Sequence, residues 1–164
     1  MTTIISHVGF ATSPHRGDLD DLEASIGAIA DLGADVAELG LFGEDIIAGG
    51  RIIESRAKRL EQICGRFGLR YTVHGLVSSN FMDPVTQRYQ LDAAKALVEV
   101  SNSIGAGILV QHSGSLRAEA IADWAGADMR EREALTELAD FARPHGVRIA
   151  LENIFTTELG QYRQ

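Results

Sequence analysis

The chain has one cysteine in 164 residues, Cys64, so no disulfide can form within it. That thiol falls on the apolar stripe of an expected helix, where a buried, inert group is the natural reading. Basic residues are also short. Fifteen Lys and Arg against 23 Asp and Glu give a formal charge of −8. This opposes non-specific binding to nucleic acid and to anionic membranes, though a local pocket for one phosphate stays open. Long apolar runs are missing: "MTTIISHVGF" has neither the charged start nor the apolar stretch of a signal peptide, and no segment reaches bilayer-spanning length. A reducing cytoplasm is the expected location. No Pro/Ser-rich linker or charge block marks a boundary, so residues 1–164 read as a single domain, large enough to bury a core.

What is present is alternation of strands and helices. Ile4 to Phe10 reads as a strand. The helix after it has Leu22, Ile26 and Ile29 on one face, acidic residues in its first turn and Gly33 as its stop. Asp35 to Leu41 is a second strand. Ile52 to Phe67 is a helix with Ile53, Ala57, Leu60, Cys64 and Phe67 inward, stopped at Gly68. Leu69 to Leu76 is a third strand, followed by a helix from about Pro84 to Ile104 with Tyr89, Ala93, Leu97, Val100 and Ile104 inward. Gly107 to His112 is a fourth strand. A segment containing Trp124 leads to a helix with Leu135, Leu138 and Ala142 on one side, and Val147 to Asn153 is a fifth strand.

Four of these strands end in a residue able to bind metal: Glu38, His74, His112 and Glu152. With His7 in the first strand, the spacings are 31, 36, 38 and 40 residues, one βα unit each. In parallel β/α folds the C-terminal strand ends form the chemical face. Alternation sets Val36 with Glu38, Thr72 with His74, Val110 with His112, and Ala150 with Glu152 on common faces. Imidazoles and carboxylates together suit zinc, manganese or cobalt. Five parallel strands do not close an eight-stranded barrel, which typically takes about 250 residues. Three arrangements follow: the first part of a longer barrel, two copies completing each other as a homo-oligomer, or an open doubly wound sheet. The regular βα spacing favours the partial barrel.

"HGLVSSN" joins His74 to Asn80, "HSGS" sets His112 before a Gly/Ser turn, and "LENI" sets Glu152 beside Asn153. In this order the chain resembles the xylose isomerase-like TIM-barrel superfamily, which holds sugar isomerases and epimerases and the endonuclease IV nucleases. The resemblance implies a (β/α)8 TIM-barrel fold with about the first five βα units present. Glu152 matches the metal-binding, catalytic glutamate. His74 and His112 match histidines that hold metal in the nuclease branch and metal or substrate elsewhere. Glu38 matches a glutamate often found ending strand two in the isomerase branch, and with His74 and His112 would orient substrate hydroxyls. Two departures from the nuclease pattern are Gly75, Leu76 and Val77 after His74, and Ser113 after His112.

The resemblance thus implies a divalent-metal enzyme (Mn, Co, Zn or Mg) acting on a sugar or sugar phosphate, isomerising or epimerising it by proton transfer through an enediolate. The alternatives are a zinc-dependent phosphodiesterase on damaged DNA and an inactive barrel fragment. Plainer readings stand beside these. His74 and His112, each taken alone, fit hydrogen-bonded core histidines as well, and Glu38 fits an ion pair. His7, His15 and His145 read as peripheral. Gly49, Gly50 and Arg51 read as a flexible loop before they read as a phosphate cradle, and Phe42 and Trp124 as packing before sugar walls.

Overall fold

The computed structural model describes residues 7–12, 18–116 and 118–152. Its main sheet takes strands β1 (Gly9–Ala11), β2 (Val36–Gly40), β5 (Arg70–His74), β6 (Ile108–His112) and β7 (Arg148–Glu152). They are hydrogen-bonded in that order and every pair is parallel. A short antiparallel hairpin, β3 (Ile47–Ala48) with β4 (Arg51–Ile52), sits in the loop after β2. Helices α1 (Leu19–Asp31), α2 (Glu54–Cys64), α3 (Gln87–Ser103) and α4 (Trp124–Ala142) fill the crossovers. A doubly wound sheet reverses its strand order at a switch point. This one never does, which removes the open-sheet alternative and leaves singly wound barrel geometry.

Alternation divides the sheet. Ala37, Leu39, Tyr71, Val73, Leu109 and Gln111 face the helices and are buried. Leu22 and Ile26 of α1, Leu60 and Ile63 of α2, Leu97 of α3 and Leu138 of α4 pack into the same core. The other face is concave and partly open. It carries Val36 and Glu38, Thr72 and His74, Val110 and His112, and Ala150 and Glu152, all half-buried or exposed.

Several element ends differ from the sequence reading. Of the first expected strand, residues 4–6 lie outside the described residues, as do His15 and Asn153. α1 begins where expected, because the Asp18 carboxylate accepts from the amides of Asp20 and Asp21 at 2.9 and 3.2 Å. It ends before Gly33, whose φ of +75° only glycine adopts cheaply. α2 stops at Cys64 rather than Phe67, capped by Gly65. α3 starts at Gln87, later than Pro84. Asp83 there accepts from the Val85 amide at 3.0 Å and the Thr86 hydroxyl at 2.6 Å, which holds a turn ahead of the helix. Tyr89 is 57% exposed, not inward, since the buried stripe of α3 runs from Leu91 through Ala94, Val98 and Ser101. α4 begins at Trp124 itself. Among the described residues, no helix is long and apolar enough to cross a membrane.

Candidate metal centre

His74 and His112 are the last residues of β5 and β6, and Glu152 is the last described residue of β7. In register, His74 pairs with Gly40 and Val110, whereas His112 pairs with Glu152. In an eight-stranded barrel of shear eight, each strand is displaced by about one residue along the axis relative to the last. That displacement brings His74 and Glu152 level and lifts His112 between them.

The result is a triangle. Nε2 of His74 lies 3.3 Å from Nε2 of His112, and each nitrogen lies 3.3 Å from Glu152 Oε2. The rings meet edge to face, centroids 4.8 Å apart and planes at 85°.

Backbone carbonyls fix which nitrogens are available. His74 Nδ1 is 3.1 Å from the Gly75 carbonyl oxygen, and His112 Nδ1 is 3.3 Å from that of Val77. A carbonyl only accepts, so each Nδ1 carries the hydrogen and donates it. In the neutral imidazole each Nε2 is then a lone pair facing the carboxylate. Metal-bound histidines are oriented by the same kind of backbone bond.

Three such acceptors facing one another are held together by a shared proton or by a metal ion. A tetrahedral ion with bonds of about 2.0–2.1 Å sets its ligand atoms about 3.3–3.4 Å apart. An octahedral ion with bonds of about 2.0–2.1 Å sets adjacent ligands about 2.9 Å apart. The donor set and all three edges fit a zinc-like ion. Among the described residues these three form the one group of His, Cys, Asp and Glu able to share a metal.

Glu38 lies on the same concave face but lower, level with Thr72, whose hydroxyl donates to its carboxylate at 3.4 Å. It stands apart from the trio. Phe42 sets its ring edge toward His74, centroids 6.4 Å apart, and is 37% exposed. Gly40 makes room for it, since a Cβ there would meet the Phe42 ring at 2.9 Å. His145 stacks on Phe141, remote from the site. Gly49 and Gly50 form the turn of the β3–β4 hairpin, both with positive φ.

The two loops that carry the imidazoles are tied together by Asn80. Its Nδ2 donates to the Ser115 carbonyl at 2.8 Å. Its Oδ1 accepts from the amides of Met82 and Ser115 at 3.1 and 3.2 Å. Gly114 lies so close that a Cβ would sit 2.6 Å from Asn80 Oδ1. Its amide donates to Glu131 on α4, a fully buried residue that the sequence reading missed. Burial raises the Glu131 carboxyl above its usual range, against the lowering pull of the Gly114 amide and of Arg132. Gln111, also fully buried and also missed, donates to Ser79 Oγ at 2.9 Å and to the His112 carbonyl at 3.2 Å. Cys64 is as inert as expected, its thiol pushed up to about 12 by burial.

Comparison with known proteins supplies the family. No curated protein matches by sequence. Among solved structures, a D-tagatose 3-epimerase-like protein matches with a TM-score of 0.72 at 17% identity, over 90% of this chain and 53% of its own. D-Psicose 3-epimerase from Clostridium cellulolyticum, solved with D-tagatose, matches at 0.67 and 17%, over 87% and 50%. A Thermus thermophilus protein soaked with zinc chloride matches at 0.58 and 23%, over 88% and 54%. The chain therefore spans about half the length of these proteins. The family model for the xylose isomerase-like TIM barrel matches residues 26–163, and the chain belongs to that family.

Proposed function

We propose that the chain supplies part of the active centre of a divalent-metal-dependent sugar or sugar-phosphate isomerase or epimerase. The observation that carries this is the triangle of two imidazole lone pairs and one carboxylate oxygen, 3.3 Å on each edge, at the strand ends. His74, His112 and Glu152 would hold the metal. When bound, it supplies positive charge to a carbonyl and hydroxyl of the sugar, easing loss of the proton beside the carbonyl. The chain's own part is to orient the substrate and move that proton. Oε2 of Glu152 faces the imidazoles, which leaves Oε1 to accept the proton and return it. Glu38, lower on the same face, would hold a sugar hydroxyl. The epimerase likenesses support the substrate class.

The test has two parts. Equilibrium dialysis against Zn, Co, Mn and Mg should show about one bound ion per chain, zinc tightest, with binding lost in Glu152→Gln. Equal retention by the variant would remove Glu152 from the ligand set. In the completed barrel, NMR of ketohexoses in D2O should then show solvent exchange of the hydrogen beside the carbonyl, dependent on Glu152.

A second reading rests on the same triangle: two imidazoles facing a carboxylate are also the ligand set that the nuclease resemblance implies for a zinc phosphodiesterase. Cleavage of abasic DNA, with no exchange on ketoses, would favour it. The net charge of −8 opposes it.

A further inference from the structure

The inward stripe of α4 reads Ala127, Glu131, Ala134, Leu138 and Ala142, all buried. Every other member is apolar, and a hydrocarbon side chain at residue 131 would suit the packing better. A carboxylate taken out of water is expensive unless its oxygens are bonded. Glu131 therefore answers a need other than packing. Its Oε1 accepts from the amide of Gly114, which closely follows His112 in the chain.

The loop after His112 is held by three successive amides, each aimed at a different element. Ser113 donates to the Glu152 carbonyl at 3.2 Å, Gly114 to Glu131, and Ser115 to Asn80 Oδ1 at 3.2 Å. The loop is thus tied to β7, to α4 and to the segment after β5. Of the three, only the bond to Glu131 reaches a helix, where a packed stripe fixes the acceptor. Gly114 has no spare room, since a Cβ there would lie 2.7 Å from Met82 Cγ and 3.2 Å from Glu131 Oε1. The neighbouring Arg130 donates from Nε to the Met82 carbonyl at 3.1 Å. One turn of α4 therefore grips both loops that carry the imidazoles. Their relative placement matters to His112, because its Nδ1 lies 3.3 Å from the Val77 carbonyl on the other loop. A shift of the His112 loop would break that bond and free the ring to take the other tautomer, whose Nε2 carries the hydrogen and cannot bind a metal.

We propose that Glu131 is a positioning residue for the metal centre: it pins Gly114 to α4, and so holds the His112 ring against Val77 with Nε2 free for a metal ion. Only the second readout below rests on the metal reading of the site.

The first readout needs no metal. Long-range proton–nitrogen NMR at about pH 8, where an ordinary imidazole is neutral, reports the His112 tautomer. Wild type should show the Nδ1–H form and Glu131→Leu a mixture, while Glu131→Gln, which keeps an oxygen acceptor, should restore the wild-type signal. An unchanged tautomer in the leucine variant overturns the proposal, and so does a glutamine variant as disturbed as the leucine one. The second readout is zinc affinity per folded chain in competition titrations. The leucine variant should bind about tenfold more weakly, and the glutamine variant within about twofold of wild type. Leu138→Ala, on the same stripe, tests for a merely loosened helix. It should lower stability yet leave tautomer and zinc affinity as in wild type. Equal zinc losses in Leu138→Ala and Glu131→Leu would reduce Glu131 to ordinary packing and overturn the proposal. A wild type that binds no zinc would remove the metal reading, while the tautomer still decides the role of Glu131. Should the leucine variant not fold, Glu131→Asp, whose carboxylate falls one methylene short of Gly114, must show the same changes at smaller size, and their absence is equally fatal.

Discussion

Leu39 and Glu38 are neighbours on one strand and belong to different worlds. Leu39 is fully buried against the helices, while Glu38 faces the concave side with Thr72 beneath the metal triangle. The same division runs through β5, with Val73 against His74, and through β6, with Leu109 against the flanking Val110. The middle of the convex face is complete: its apolar side chains there meet helices that the chain itself supplies, while Phe10 and Leu151 at its two edges stay exposed. The concave face is made of polar rims and an open middle. Stability and chemistry therefore separate by a single residue of alternation, and substitutions on the two faces should be separable too.

The largest expected effect is on the convex face. Leu39→Ala should cost about 3 kcal/mol of stability in urea melts, by lost transfer energy and a cavity, while leaving metal affinity in the remaining folded chain unchanged. On the concave face the expectation inverts. His112→Ala should lower zinc affinity by at least about 100-fold in competition titrations and shift the urea midpoint less than Leu39→Ala does, because His112 ends its strand outside the apolar core. Comparable stability losses in both variants would break the comparison.

Asn80→Ala tests the link between the faces. It strips the acceptor from the Met82 and Ser115 amides, for an expected cost of about 1–3 kcal/mol. It should also weaken zinc about tenfold by loosening both imidazole loops. Glu131→Gln sharpens the comparison through pH. Burial raises the folded carboxyl, so between the unfolded and folded values the folded chain holds more protons than the unfolded one. Stability should fall as pH rises through that window, and the glutamine variant should lack the fall in melts from about pH 4 to about pH 8. Smallest of all, Glu137→Gln removes exposed ion pairs to Lys95 and Arg88 and should cost under about 1 kcal/mol, less in high salt.

The metal-capable strand ends were legible because two local rules overlap there: period-two alternation, and one βα unit between polar ends. Their triangular arrangement was not, since it depends on barrel shear, which no single strand encodes. Glu131 and Gln111 were invisible for a related reason. In sequence Glu131 sits among charged residues of a helix that reads as solvated, and the approach of Gly114, 17 residues away, is one contact that makes its burial tolerable. Gln111 likewise needs Ser79, 32 residues distant. Tyr89 misled because helical spacing from Ala93 placed it inward, one turn before the buried stripe begins. The open-sheet alternative fell to strand order, which alternation does not report.

That strictly sequential order also bears on how the molecule forms. Each strand of the sheet pairs with the strand before it, so its partner has already been synthesised when it emerges. Chain growth at about 5–20 residues per second gives each βα unit a few seconds at the ribosome, against microseconds to milliseconds for local helix formation and collapse. Assembly can advance strand by strand from the amino end, with one incomplete edge at a time. A circularly permuted chain that begins at β5 would have to hold β5 to β7 together before β1 and β2 exist, and should refold more slowly for the same final contacts.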